Sequence, residues 1–202
     1  MIRYSHITPE SKVDGPGTRT VVFLQGCTVG CKACQNQHLW PADKGREVTT
    51  EILADHVMKF GNRNITISGG EPTDQMEELA LLVETLRDFG AEHIIVYTGR
   101  TFEWLVENKC FGIMNLIRQI DILVDGPFIY EMDDPMITWR GSRNQRPIDC
   151  KATVETGSLV TLDWSKPTIS IDAEGNMLMP VGLAPRYGAG EAKRTRRCGQ
   201  TK

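Results

Sequence analysis

Three cysteines fall within eight positions of the stretch FLQGCTVGCKACQNQHLW, residues 23–40: Cys27, Cys31 and Cys34, spaced C-x3-C-x2-C. Three thiols this close point to metal or redox chemistry. A structural zinc site asks for four ligands, usually as two C-x2-C pairs. Here there is one such pair, and His38, four residues past Cys34, is the candidate fourth ligand. A catalytic zinc with three cysteines and a water is a second form. A cubane iron–sulfur cluster has four irons, each needing an outside ligand. Three cysteines fill three corners and leave one iron open to something other than protein. If the fourth ligand is Cys110, Cys150 or Cys198, the cluster is closed and serves electron transfer only. The open cluster is the leading reading of the three.

The 202-residue chain is long enough to bury a core as one domain, or as one domain with an appendage. With 24% charged residues and a formal net charge of −3, it carries no overall basic bias towards nucleic acid. No apolar run approaches the roughly 18 residues of a membrane span. The start, MIRYSHITPESK, has no apolar signal-peptide region. The expected setting is cytoplasmic, where thiols stay reduced and clustered cysteines serve metals more often than disulfides.

The elements that must position the cysteines are legible as an alternation. RTVVFLQG (19–26) reads as a buried strand leading into the cysteine loop. TTEILADHVMKFGN predicts a helix with Leu53, Val57 and Phe60 on one face, Thr49 or Thr50 as cap and Gly61 at its end. NITISGGEP (64–72) is a strand running into a glycine pair, and 74–90 is a helix with Met76, Leu79, Ala80, Val83 and Leu86 inward. AEHIIVYTGR (91–100) is a strand, 101–119 is helical in one or two pieces, and IDILVDGPF (120–128) is a strand. Strand and helix alternating in this way imply parallel strands with crossover helices. The loops at the strands' carboxyl ends then share one edge, which is where such folds build sites. The cysteine loop, SGGEP, YTGR and VDGPF all occupy such ends.

Past about residue 146 the alternation stops. Residues 168–180 read as a hairpin, with Ile169 and Ile171 alternating and Gly175-Asn176 near the turn. Residues 186–202 hold six Lys or Arg and one Glu, a local charge of +5, which is either a solvated terminus or a docking segment for an acidic partner. The expected division is a core over 1–146 and an extension over 147–202, with the extension allowed to belong to the same domain.

C-x3-C-x2-C after a first strand resembles the radical S-adenosylmethionine (SAM) superfamily. In that family SAM chelates the open iron of a [4Fe-4S] cluster and is cleaved reductively to methionine and a 5′-deoxyadenosyl radical. VDGPGTRT (13–20) resembles the glycyl-radical-enzyme activases, and SGGEP (68–72) looks like their SAM-binding strand end. ILVDGPF and DPMITWRGSRNQ (134–145) are similar to the activating proteins of anaerobic ribonucleoside-triphosphate reductases. The resemblance spans most of residues 1–146 and implies an α/β partial (β/α) barrel. It assigns the cluster to Cys27, Cys31 and Cys34. It assigns SAM contacts to Ala33, Cys34, Gln35, Asn36, Gly69, Gly70, Glu71, Thr98 and Asp125, the last with room for a cation. No catalytic side chain is required, because the radical arises at cluster and SAM. Where the family often has an aromatic residue before the last cysteine this chain has Ala33, so an adenine contact there is mainly backbone.

The partner so implied is a glycyl radical enzyme, the large subunit of an anaerobic ribonucleotide reductase, with a reductase or flavodoxin-like electron donor; neither membrane nor nucleic acid is expected. The alternatives are an activase of the pyruvate formate-lyase type, a radical SAM enzyme acting on a small molecule, and a non-catalytic iron–sulfur or zinc module. Among other residues, His6, His56 and His93 read as structural or exposed. Trp40 and Trp139 are either shields of the site or core. Arg19 and Arg140 are either holders of a carboxylate or a partner loop, or members of surface salt bridges.

Overall fold

The computed structural model describes residues 1–134 and 136–164, together with the backbone of two short strands beyond them. The side chain of Cys110, the turn at Gly175-Asn176, Cys198 and the basic 186–202 segment lie outside the described residues. In chain order the elements are β1 (Ile2–Ser11), β2 (Arg19–Leu24), β3 (Arg46–Val48), α1 (Thr50–Met58), β4 (Asn64–Gly69), α2 (Met76–Asp88), β5 (His93–Tyr97), α3 (Phe102–Ile117), β6 (Ile122–Asp125), β7 (Arg146–Asp149), α4 (Cys150–Thr156), β8 (Ser170–Ile171) and β9 (Met177–Leu178).

Seven strands form one sheet in the order β3-β1-β2-β4-β5-β6-β7. β2, β4, β5 and β6 are parallel, as the alternation requires, and each crossover passes through a helix. β1 and β3 extend the sheet antiparallel on one side, and β7 does so on the other. The fold is therefore α/β, an open sheet with a parallel centre and antiparallel margins. The sheet runs past the expected core boundary at 146, because β7 pairs with β6 and Ile148 and Cys150 join the main core. β8 and β9 pair antiparallel, Ser170 opposite Leu178, as the hairpin pattern predicts.

Strand parity divides the sheet into two faces. Val22, Leu24, Ile65, Ile67, Ile94, Val96 and Leu123 pack with the helices in the main core. The alternate residues Ile95, Tyr97, Ile122 and Val124 face the other way, against Trp139, Leu162 and Trp164. The inward set expected for α2 is buried throughout. α1 is capped by Thr49, whose hydroxyl accepts from the Ile52 amide. It ends at Met58, so Phe60 lies beyond it, 50% exposed, and not on the buried face. α3 is kinked at Lys109 (φ −136°, ψ 29°), the two-piece form of the expected helix.

Arg19 departs from both readings given to it. It is 1% exposed and meets neither carboxylate nor solvent. Its Nε donates to Thr66 Oγ1 at 2.7 Å, and its Nη2 donates to the carbonyls of Ile65 and His93 at 2.5 and 3.0 Å. Burial lowers its pKa to about 10, against the pull of Tyr97, Asp121 and Asp14. Thr66 in turn donates to the Asp14 carbonyl at 2.8 Å. Arg19 thus fastens residues 13–18 against β4. The fit is close, since a Cβ at Gly15 would lie 2.8 Å from Ile95 and 2.9 Å from the Arg19 side chain.

Candidate cluster and cofactor site

The four loops expected at one edge do meet there. A cavity of about 460 Å³ is lined by Cys27, Cys31 and Cys34 after β2, by Gly69, Gly70 and Glu71 after β4, by Thr98 and Gly99 after β5 and by Gly126 and Phe128 after β6. Gln35, Asn36, Trp40, Trp139, Arg140 and Gln145 also line it, with Val13, Asp14 and Tyr97.

The cysteine loop leaves β2 under firm control. The amides of Gly26 and Cys27 donate to the carbonyls of Leu39 and Trp40 at 2.8 and 3.1 Å, which ties the loop's two ends together. The glycine pair is bonded to the same base: Gly70 N donates to Leu24 O at 2.9 Å and Glu71 N to Gly26 O at 2.8 Å. This explains why the pair is glycine. A Cβ on Gly70 would lie 2.1 Å from the Gly26 carbonyl oxygen, and one on Gly69 (φ +113°) 2.4 Å from the Leu24 nitrogen.

All three cysteines are free thiols at intermediate exposure. Burial pushes the Cys27 and Cys31 thiols up, although backbone amides oppose it: those of Gly30 and Val29 at Cys27, and that of Phe128 at Cys31. The Asn36 amide donates to Cys34 Sγ at 3.3 Å. A main-chain donor is what a thiolate ligand of an iron–sulfur cluster uses to spread its charge, and the Asn36 amide gives one to Cys34. Among the described residues no group of three or more His, Cys, Asp and Glu side chains closes on a single ion, with or without His38. A cubane does not need such a closure, because each thiolate takes a different iron. The donor set fits a cluster held at three corners. Cys150 is not available as a fourth: it is fully buried in the main core at the start of α4, and burial pushes its thiol up to about 12.

Glu71 is 1% exposed and holds two of the loops together. Its Oε1 accepts from Thr73 N, Thr73 Oγ1 and Thr98 Oγ1 at 2.9, 2.6 and 2.8 Å, and its Oε2 from Gly99 N at 2.7 Å. Burial raises its pKa, and those four donors pull the other way. Thr98 spends its hydroxyl on Glu71 and accepts from Arg100 N at 3.1 Å, so both residues shape the wall.

Two expected contacts fall elsewhere. Ala33 is exposed, has φ +61° and is not part of the cavity wall. Asp125 is 0% exposed and also absent from the wall. Its Oδ1 accepts from Arg146 Nε at 3.0 Å, and its Oδ2 from Arg146 Nη2 at 2.5 Å and from Phe102 N at 2.6 Å. A guanidinium thus occupies the place a cation would take, and Arg146 lies 21 residues away in sequence.

Trp139–Gln145 is a stitched loop. Gln145 Oε1 accepts from Gly141 N at 2.6 Å, Gln145 Nε2 donates to Gly126 O at 3.0 Å, and Asn144 Nδ2 donates to Pro127 O at 2.7 Å. Trp139 has φ +53° and its carbonyl accepts from the Tyr97 phenol at 2.7 Å, while its ring meets Trp164 edge-on at 5.2 Å. The loop carries Trp139 and Arg140 onto the wall across from the cysteines. Asp14 is a wall residue that the sequence reading left without a role. Burial raises its pKa, opposed by the Ser11 hydroxyl that donates to it. The signal for it was its place beside Gly15 in the VDGPG stretch.

Comparison with known proteins agrees with this geometry. A family model described as a 4Fe-4S single cluster domain matches residues 13–148. The anaerobic ribonucleoside-triphosphate reductase-activating protein of Vibrio cholerae is 35% identical over 152 residues, covering 71% of this chain and 96% of that protein. The protein of the same name from Escherichia coli K12 is 30% identical, covering 71% and 96%, and that of Enterobacteria phage T4 is 31% identical, covering 72% and 92%. The crystal structure of QueE from Escherichia coli matches 50% of this chain and 52% of its own at 24% identity and a TM-score of 0.38. Three cysteines on the first parallel strand's loop, the glycine pair bonded to its base and relatives matched over nearly their whole length lead to one statement: the chain belongs to the family of anaerobic ribonucleoside-triphosphate reductase-activating proteins and carries its 4Fe-4S single cluster domain.

Proposed function

We propose that this chain is a radical SAM activase that generates a glycyl radical on an anaerobic ribonucleoside-triphosphate reductase. The observation that carries the reading is the meeting of the three cysteines and the Gly69-Gly70 turn on one cavity. Cys27, Cys31 and Cys34 would each hold one iron, and the bound cluster and SAM would supply the reductive radical chemistry that removes a hydrogen from a glycine Cα of the partner.

The chain's own part is to bind, orient and exclude water. The Gly69-Gly70 main chain, Gln35 and Asn36 line the cavity beside Cys34 and offer polar contacts to SAM. Glu71 and Thr98 act at one remove, by locking the turn and the β5 loop together. Trp40, Tyr97, Phe128 and Trp139 contribute aromatic rings to the wall, which help keep a reactive radical from solvent. The cavity is within the ordinary range of small-molecule sites, roughly 300–1,000 Å³. Hydrogen abstraction from carbon needs no general base, and among the described residues no histidine lines the cavity. The electron comes from a reductase or flavodoxin-like donor, and the reduced thiols suit the cytoplasm. Among the described residues no helix is long and apolar enough to cross a membrane.

The test is anaerobic. The reconstituted chain with SAM and a reductant should yield 5′-deoxyadenosine, and with the reductase added a glycyl radical should appear by EPR. Iron and sulfide bound without 5′-deoxyadenosine would leave only a non-catalytic cluster module.

A further inference from the structure

The residue after the first cysteine is held by a charged pair to which nothing above gives a role. Asp74 Oδ2 accepts from the Thr28 amide at 2.8 Å, and the same carboxylate receives the Thr28 hydroxyl at 2.8–2.9 Å. Arg100 Nη2 donates to Thr28 Oγ1 at 2.7 Å and lies 3.7 Å from Asp74 Oδ1. The guanidinium sits 4.3 Å over the Trp104 ring. Three segments meet here: the cysteine loop, the turn that follows Glu71, and the β5 loop. The turn is closed on itself by Asp74 N to Glu71 O at 3.1 Å, and Gly126 N after β6 donates to Arg100 O at 2.9 Å.

Asp74, Arg100 and Trp104 are absent from the cavity wall, so they do not touch its contents. Nor is this an ordinary surface ion pair, because the two side chains are only 24% and 22% exposed. The pair grips both the N–H and the hydroxyl of an otherwise exposed loop residue. Immediately beyond Thr28 stand Val29 and Gly30, whose amides oppose the upward push of burial on the Cys27 thiol. Val29 lines the cavity beside Gly99, while Gly30 has φ +66° and nothing within 4 Å of where a Cβ would be. The grip on Thr28 fixes the one residue between Cys27 and these two amides.

We propose that Asp74 and Arg100 are positioning residues that hold the Cys27 corner of the cluster, slowing its loss of iron and raising its reduction potential through the Val29 and Gly30 amides. The inference rests on the reading of the cysteine loop as a cluster site. Hydrogen bonds to cluster sulfurs shift the potential, and outer partners of a metal ligand are typically worth about 10- to 100-fold in metal affinity.

The experiment compares the full chain with Thr28→Val, Asp74→Ala, Arg100→Ala and Arg100→Lys, all reconstituted anaerobically. Three quantities are read: iron and sulfide per chain, the rate of iron loss to a chelator, and the midpoint potential by EPR-monitored titration. Thermal unfolding of the metal-free chains is the structural control. Thr28→Val is the clean variant, since it removes the hydroxyl without changing charge. It should lose iron faster and titrate at a more negative potential, with unfolding unchanged. Asp74→Ala, which releases the amide too, should lose iron about tenfold faster or more. Arg100→Ala should behave like Thr28→Val, and Arg100→Lys, which restores a donor, should recover part of the loss. Wild-type potential and iron-loss rate in Thr28→Val and Asp74→Ala would overturn the inference, as would changes that merely follow a lowered unfolding temperature. A wild-type chain that takes up no iron and sulfide would instead overturn the cluster reading beneath it.

Discussion

Gly70→Ala adds one methyl group at a point where no space exists. The Cβ would lie 2.1 Å from the Gly26 carbonyl oxygen, 2.8 Å from its carbon and 3.2 Å from its nitrogen. All three are main-chain atoms, so no side chain can swing away. The turn and the cysteine loop must part by about an ångström. That movement breaks the Glu71 N to Gly26 O bond of 2.8 Å and strains the Gly26 and Cys27 bonds to Leu39 and Trp40. Overpacking costs about 1–3 kcal/mol and a lost hydrogen bond about 0.5–1.5 kcal/mol, together about 1.5–4.5 kcal/mol. For a chain of this size the unfolding temperature should fall by roughly 3–18 °C. Since Cys27 follows Gly26 directly, iron uptake should fall as well, before SAM is offered. Gly61→Ala is the comparison: Gly61 has φ +77° but nothing within 4 Å, so only backbone strain of about 1 kcal/mol is expected, with full iron uptake. The assays are thermal unfolding of the metal-free chain and iron and sulfide content after reconstitution. A Gly70→Ala chain with unaltered stability and full iron content, defective only in SAM binding, would refute the contact argument and restore a purely ligand-facing reason for the glycine.

Other outcomes follow from single contacts. Changing Cys27, Cys31 or Cys34 to Ala should abolish SAM cleavage, whereas Cys150→Ala should keep iron and sulfide at wild-type levels; loss of the cluster in Cys150→Ala would bring back a fourth protein ligand. Arg146→Met leaves the Asp125 carboxylate, 0% exposed, without its cation, and should cost about 3 kcal/mol in urea unfolding at pH 7; an unchanged midpoint would mean that the pair contributes nothing. Cys150 should give the metal-free chain an alkaline instability. Its thiol rises from 9.0 to about 12 on folding, so its contribution is whole below pH 9 and is lost as the pH climbs towards 12. By pH 10.5 the wild type should have lost about 2 kcal/mol more than Cys150→Ala, and parallel pH profiles would disprove the assignment.

Much of the site was legible because its signals are local. C-x3-C-x2-C lies in one loop, and strand–helix alternation brings the four strand ends to one edge whatever the side chains do later. Helix faces followed from 3.6-residue periodicity for the same reason. The antiparallel margins were not legible. β1 mixes buried and exposed residues through a register shift, and β3 and β7 are three and four residues long, too short for a period to declare itself.

What tertiary structure alone decided are the pairings between residues far apart in sequence. Arg19 reads as a surface cation until Ile65, Thr66 and His93 close over it, 46 to 74 residues on. Asp125 reads as a ligand for SAM or a cation until β7 brings Arg146 beside it. The glycine pair was visible and its link to the SAM site reasonable, but the atom that forbids a side chain at Gly70 is the Gly26 carbonyl at the base of the cysteine loop. Residue types and spacing determined which chemistry this chain can support. Which polar groups are left to perform it depended on the fold, because a buried charge takes whichever partner the packing sets within reach.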